Sequence, residues 1–187
     1  MAHPDLPFIY AAHGNRSTVS SYYLGAHGTL EFIRDISTEG TNPAHIAISP
    51  DARFLLGINH TSGSFFSIAL DNNGHLDNLV QLHRFQGEPG PHKSDQHGSK
   101  PHQVGFAPAL DEATGEYTIA IPDKGLDVVH FGRFNPQTGS IAFGEEVRLR
   151  EVSGPRHAVF HPHKPALCAI NELSPTVAVI SLDAGKP

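Results

Sequence analysis

The sequence predicts an all-β protein: a β-propeller, present as about four blades, with the chain forming part of a larger ring. Three observations carry this expectation. First, an octapeptide recurs in register: Pro43-Ala44-His45-Ile46-Ala47-Ile48-Ser49-Pro50, Pro101-His102-Gln103-Val104-Gly105-Phe106-Ala107-Pro108 and Pro155-Arg156-His157-Ala158-Val159-Phe160-His161-Pro162. The copies start 58 and then 54 residues apart, a period that belongs to stacked blades or a solenoid. Second, short β-branched and aromatic runs alternate with Gly, Asn, Asp and Pro clusters, the pattern of antiparallel strands joined by turns. Third, no stretch holds a helical period.

Taken in order, residues 7–13 and 18–24 read as the second and third strands of an opening blade. The first octapeptide leads into strands at 53–60 and 64–70, then into Asp71-Asn72-Asn73-Gly74, whose Asn and Gly tolerate positive φ in a hairpin turn. A looser fourth strand follows at 79–85. The second copy leads into strands at 117–123 and 127–134, the turn Asn135-Pro136-Gln137-Thr138-Gly139 and a fourth strand near 146–149. The third leads into 166–172 and 177–183. Four strands per repeat about an axis make a propeller, and the small residues Ala44, Ala47, Gly105 and Ala158 suit crowding near that axis. The expected blades are residues 7–38, 43–85, 101–150 and 155–187, with 86–100 a polar loop feeding His102. Second and third strands are present for four blades but first strands for only three, and the sequence stops at Gly185-Lys186-Pro187 where another fourth strand would open. The terminal blades should therefore present uncovered apolar faces, with Phe8, Ile9, Val19 and Tyr22 at one end and Leu167, Val177, Val179 and Ile180 at the other. Self-association through these faces and edges is expected.

The formal charge is −6, from 13 basic and 19 acidic residues, so the chain offers no overall cationic face for nucleic acid. One cysteine, Cys168, excludes an internal disulfide framework and reads as an inert thiol buried in an apolar strand. Met-Ala-His-Pro-Asp carries no apolar signal core, and no run reaches membrane-spanning length. These features predict a cytoplasmic protein without a membrane partner.

Within the repeat, the residue after the first proline varies: Ala44, His102, Arg156. A constant scaffold with a chemically loaded slot points to a site. Histidine, with a reference pKa near ~6.5, suits activation of water, while a guanidinium fork suits anchoring of phosphate or carboxylate. The plainer alternatives are a histidine bonded to a backbone carbonyl and an Arg156–Glu172 ion pair. Glu172 falls at a strand end, with His13, His60 and Asp123 at the expected equivalent ends, which would give one channel mouth a polar rim. His157 and Asp123 are further candidates, and Lys100 and Lys124 could supplement phosphate binding. The 14 histidines invite a metal reading, but neither His97…His102 nor His161-Pro162-His163 has zinc-site spacing, so no metal and no cofactor is expected. No Gly-x-Ser-x-Gly elbow supports a serine hydrolase.

Gly154-Pro155-Arg156-His157-Ala158-Val159-Phe160-His161-Pro162 followed by Asn171-Glu172-Leu173 resembles the lactonase family of seven-bladed propellers, which includes bacterial 6-phosphogluconolactonases and fungal carboxymuconate cyclases. Ser49-Pro50-Asp51-Ala52-Arg53-Phe54-Leu55, Gly90-Pro91 and Pro122-Asp123-Lys124-Gly125-Leu126-Asp127 support the match, which covers about the first half of such a protein. The resemblance implies an acid/base role for His102, anion binding for Arg156 and a functional carboxylate at Glu172. It departs from the family at Asp95-Gln96, where many members carry Arg-Gln. The expected activity is hydrolysis of a phosphorylated sugar lactone, 6-phosphogluconolactone above all, with a small anionic lactone as the partner and either His102 or Glu172 as the base. The alternatives are a carboxymuconate lactonising isomerase using the same residues, and an inactive fragment or non-enzymatic interaction module.

Overall fold

The computed structural model describes residues 1–183; residues 184–187, and with them the Gly185-Lys186-Pro187 end, lie outside the described residues. Among the described residues fourteen strands form four antiparallel sheets. The first holds β1 (Phe8–His13), β2 (Thr18–Leu24) and β3 (Leu30–Ser37). The second holds β4 (Pro43–Ile48), β5 (Phe54–Asn59), β6 (Ser64–Leu70) and β7 (Leu76–Arg84). The third holds β8 (Gly105–Asp111), β9 (Glu116–Asp123), β10 (Val128–Phe134) and β11 (Ile141–Arg148). The fourth holds β12 (Pro155–Phe160), β13 (Ala166–Asn171) and β14 (Val177–Ser181). Each sheet is a meander in chain order, the arrangement of propeller blades. The only helical element among the described residues is one short 3₁₀ turn, Ala26–Gly28, and no helix is long and apolar enough to cross a membrane.

Three apolar layers lie between successive sheets. Phe8, Tyr10 and Val19 pack on Leu55, Phe66 and Ile68; Leu56, Ile58 and Phe65 pack on Ile119, Ile121 and Phe134; Val129 and Phe131 pack on Phe160, Leu167 and Ile180. The central strands β5, β6, β9 and β10 are covered on both sides, which is why they read as near-continuous apolar runs rather than alternating ones. Amides stitch the layers together. The Gln81 side chain donates to the Ile141 carbonyl at 2.9 Å and accepts from the Ile141 N–H at 2.7 Å, and Gln103 Oε1 accepts from the Ala158 N–H at 2.6 Å.

Two sequence expectations change. In the second octapeptide only the part from Gly105 enters a regular strand; Pro101 keeps a single bridge to Asp123, and Val104 drops into the core between the second and third sheets. The terminal apolar faces exist, with Val177 and Val179 outward as expected but with other residues changed. Strand alternation sends Phe8, Val19, Leu167 and Ile180 inward. On the fourth sheet the outward parity belongs to Val159, Ile170, Val177 and Val179, which are 66%, 54%, 61% and 69% exposed. Cys168 pairs with Val159 and Val179 in that outer row and is half-buried rather than enclosed. At the other end Phe32, 57% exposed, packs edge-on against Tyr22. β3 itself was not foreseen, because its almost wholly exposed residues show no buried stripe.

These uncovered rows should drive association of the 187-residue chain. Light scattering behind size exclusion is expected to give a mass above the 20.1 kDa of one chain. Val177→Lys with Val179→Lys should return it to the monomer without loss of stability, since neither side chain is buried. A monomeric unmodified chain would contradict this.

Candidate functional site

The slot and strand-end residues of the repeat meet at one mouth of the sheet array. The first prolines pair with the ends of the second strands: Pro43 with Asn59, Pro101 with Asp123, Pro155 with Asn171. Asn59, Asp123 and Asn171 are buried. The next residues, His60, Lys124 and Glu172, therefore occupy the rim of this mouth, one position later than expected for Asp123.

Asp123 is a brace rather than part of the cleft wall. It has no exposed surface. Its Oδ1 accepts from the N–H groups of Lys100 at 2.7 Å, Gly125 at 2.9 Å and Leu126 at 3.2 Å. Its Oδ2 accepts from Ser99 Oγ and faces His130 Nε2 at 3.4 Å. A charged acceptor with this many donors is stable away from water. It fixes both segments that carry Lys100, His102 and Lys124. Gly125 is obligatory there, because a Cβ would meet the Gly98 carbonyl oxygen at 1.8 Å.

Asp127 does the same for the Gly-Pro-Arg-His segment, its carboxylate accepting from the N–H groups of Val152 and Gly154 at 2.8 and 2.7 Å. The Gly154 carbonyl takes the Glu172 N–H at 2.8 Å. Gly154 has φ +58°, and a Cβ would lie 2.5 Å from Leu173 Cγ, so no other residue fits. The Gly-Pro-Arg-His and Asn-Glu-Leu elements are thus one hydrogen-bonded unit.

On these supports the side chains form a charged network. Glu172 Oε2 meets Arg156 Nη1 at 3.1 Å and Glu172 Oε1 meets Lys124 Nζ at 3.2 Å. Lys124 Nζ also meets Asp95 Oδ1 at 3.1 Å. Burial works to raise the Glu172 pKa, but Lys124 and Arg156 outweigh it and hold the carboxyl below its ordinary range. His102 lies between His60 and His157, with ring centroids 5.1 and 5.3 Å away. Burial, with Arg156 and the two histidines adding to it, lowers its pKa to about 4. At neutral pH it is an uncharged imidazole. His60 Nδ1 donates to the Pro101 carbonyl at 3.1 Å, fixing the residue before His102, and burial lowers its pKa as well.

Of the sequence candidates, His102, Arg156, Glu172, Lys124 and His157 come together, and Lys100 is close enough to act electrostatically on His60. Sequence reasoning missed three contributors. His60 was visible as a strand-end histidine but not chosen. His130 sits in the middle of an apolar strand, and nothing local marks it. Asp95 was noticed as a departure, without its partner. Residues 86–100 form an ordered wall: Gln96 is buried, donates to the Lys124 carbonyl at 3.0 Å and accepts from the His92 N–H at 2.9 Å. Among the described residues no group of three or more His, Cys, Asp or Glu is arranged to hold a metal ion.

The family model for "Lactonase, 7-bladed beta-propeller" matches residues 1–186. The 6-phosphogluconolactonase of Formosa agariphila is 30% identical over 162 residues, covering 85% of this chain and 44% of that protein. That of Cronobacter sakazakii is 30% identical over 180 residues, covering 96% and 48%. The solved periplasmic gluconolactonase of Pseudomonas aeruginosa superposes with a TM-score of 0.79 at 24% identity, over 96% of this chain and 52% of that one, a likeness of fold. The chain spans about half the length of the curated relatives it matches.

The depressed histidines give a pH signature. His45, lowered to about 4 by burial with help from His157, joins His102. Both folded values lie below the ordinary 6.5, so the unfolded chain takes up protons first as the pH falls. Their contribution to stability is complete above 6.5 and is lost as the pH falls through about 4. The urea midpoint should drop across that window, and His45→Gln should reduce the drop. A midpoint constant from 6.5 to 4 would contradict the burial of these neutral rings.

Proposed function

The chain belongs to the seven-bladed β-propeller lactonase family, and from that premise we propose that it provides the active site of a lactone hydrolase acting on a phosphorylated sugar lactone, 6-phosphogluconolactone. The names of the Formosa and Cronobacter relatives support the substrate. One observation carries the chemistry: an uncharged His102 sits among Arg156, Lys124 and Glu172 on a common rim.

Both Glu172 oxygens are engaged, one by Lys124 and the other by Arg156. Glu172 is therefore the anchor of the cations, and His102 is the base. Water attacks the lactone carbonyl carbon while His102 takes its proton. The negative charge that develops on the carbonyl oxygen falls to Arg156, which is 45% exposed and keeps further N–H groups for a ligand. The same charge raises the proton affinity of His102, which starts as a weak base. Collapse of the tetrahedral intermediate breaks the bond to the ring oxygen, the His102 proton passes to that oxygen, and the open-chain acid leaves. Lys124 and Lys100 are the cations nearest for the substrate phosphate.

Closure of a carboxymuconate lactone would use these groups in the opposite sense, but no feature of the rim favours it over hydrolysis. The reading places the reaction in the pentose phosphate pathway, and the single thiol, Cys168, fits a reducing cytoplasm. The chain is taken as one partial propeller over residues 1–187, its blades bounded near 7–38, 43–85, 101–150 and 155–187.

Arg156→Ala should lower kcat/KM for 6-phosphogluconolactone by about 10- to 100-fold, the worth of a hydrogen bond to a charged group. His102→Gln should lower kcat with little change in KM. Because the oxyanion forms on either substrate, Arg156→Ala should cost uncharged gluconolactone a similar factor; a loss confined to the phosphorylated lactone would move Arg156 to the phosphate, and no loss with either would reduce it to a brace for Glu172. An unaltered kcat in His102→Gln would remove His102 as the base.

A further inference from the structure

We propose that Asp95 is a specificity-determining residue: its carboxylate competes with the phosphate of the substrate for Lys124 and so weakens, selectively, the binding of phosphorylated lactones. The proposal rests on the lactone reading above and concerns the balance of charge at that rim.

Lys124 is the most buried cation of the rim, its side chain 9% exposed, and it has two carboxylate partners, Asp95 at 3.1 Å and Glu172 at 3.2 Å. Arg156 shares Glu172 at 3.1 Å. Of the rim cations, Lys100 stands outside this network; within it two cations face two carboxylates, which leaves no surplus positive charge at Lys124 for a phosphate dianion. The histidines do not supply it, because burial keeps His60 and His102 neutral near pH 7.

The two carboxylates are not equivalent. Glu172 also holds Arg156, and its backbone is bonded to the signature turn, with the Glu172 N–H on the Gly154 carbonyl at 2.8 Å. Apart from Lys124, Asp95 makes its contacts within its own loop, with Ser94 Oγ at 2.7 Å and His92 Nδ1 at 3.2 Å, and is one-third exposed. The bond from Ser94 and the ion pair with Lys124 hold its pKa below the ordinary range, so it is ionised wherever the lactone would be bound. The loop cannot swing away to release Lys124. Gln96, the next residue, is buried and donates to the carbonyl of Lys124 itself, and the Gly90 N–H bonds the Gly125 carbonyl at 3.0 Å. A Cβ on Gly90 would overlap the Gln96 amide at 2.3 Å, which shows how tightly the loop is folded on its clip. A phosphate that reaches Lys124 therefore meets a fixed negative charge 3.1 Å from the ammonium. An unphosphorylated lactone, with nothing to place at Lys124, does not.

The test uses equilibrium binding, independent of turnover. Titration calorimetry of the 187-residue chain would compare 6-phosphogluconate with gluconate, which differ only in the phosphate. Asp95→Asn keeps the side-chain shape and removes the charge. It is expected to tighten 6-phosphogluconate by about fivefold, the upper worth of a part-exposed ion pair, and to leave gluconate unchanged. Asp95→Glu should stay near wild type. In a Lys124→Met background Asp95→Asn should give no gain, which a merely structural role for Asp95 would not predict. Where the chain turns over lactone, the Asp95→Asn effect should fall on KM for the phosphorylated substrate and not on kcat. Equal tightening of both ligands, or no change in either, would overturn the role of Asp95 alone. Failure of wild type and variant to bind either compound would overturn both this role and the lactone reading.

Discussion

The carboxylate of Asp123, sealed from solvent at the end of β9, holds the rim together. Three backbone N–H groups, a serine hydroxyl and the His130 ring converge on its two oxygens. Without it, Ser99, Lys100, Gly125 and Leu126 would lose their common acceptor, and the segments on either side of Pro101 would lose their register. The cost of placing a charge in the interior is offset only because each lone pair is used. His130 completes the arrangement from behind, stacked on Phe85 with ring centroids 4.3 Å apart, so the brace also reaches into the packing between the second and third sheets. The geometry of the mouth depends on an interaction buried behind the rim.

The propeller architecture was legible because it repeats. One octapeptide seen three times gave the first strands, and turn residues at regular spacing gave the second and third. What could not be read was parity at the ends: Leu167 and Val177 are equally apolar, and only the direction of the pleat puts one inside and the other out. β3 escaped for a related reason, as its side chains are exposed and its sequence carries no stripe. At the rim the repeat again led to His102, Arg156 and Glu172, which the structure brings together. Asp123 was misjudged because an acidic residue at a strand end looks the same from sequence whether it faces solvent or satisfies buried amides. The Asp95–Lys124 pair spans 29 residues and two structural elements, and no local pattern announces it.

Charge balance, more than any single residue, characterises this rim. Cations and carboxylates alternate from Asp95 through Lys124 and Glu172 to Arg156. Each ion pair is part-exposed and individually worth little stability. Together they set the potential that an incoming anion meets beside a neutral imidazole. A lactone carbonyl is already reactive, so the proposed hydrolysis asks only for a positioned base and one donor at the developing oxyanion, roles proposed for His102, just before β8, and Arg156, on β12.

The most direct measurement is a crystal structure of the chain with 6-phosphogluconate bound. The account requires the carboxylate end of the ligand on Arg156, within hydrogen-bond reach of His102, and the phosphate toward Lys124 and Lys100. A ligand seated elsewhere, such as the groove between Leu110 and Lys164 that β8 and the residues after β12 form, would contradict it.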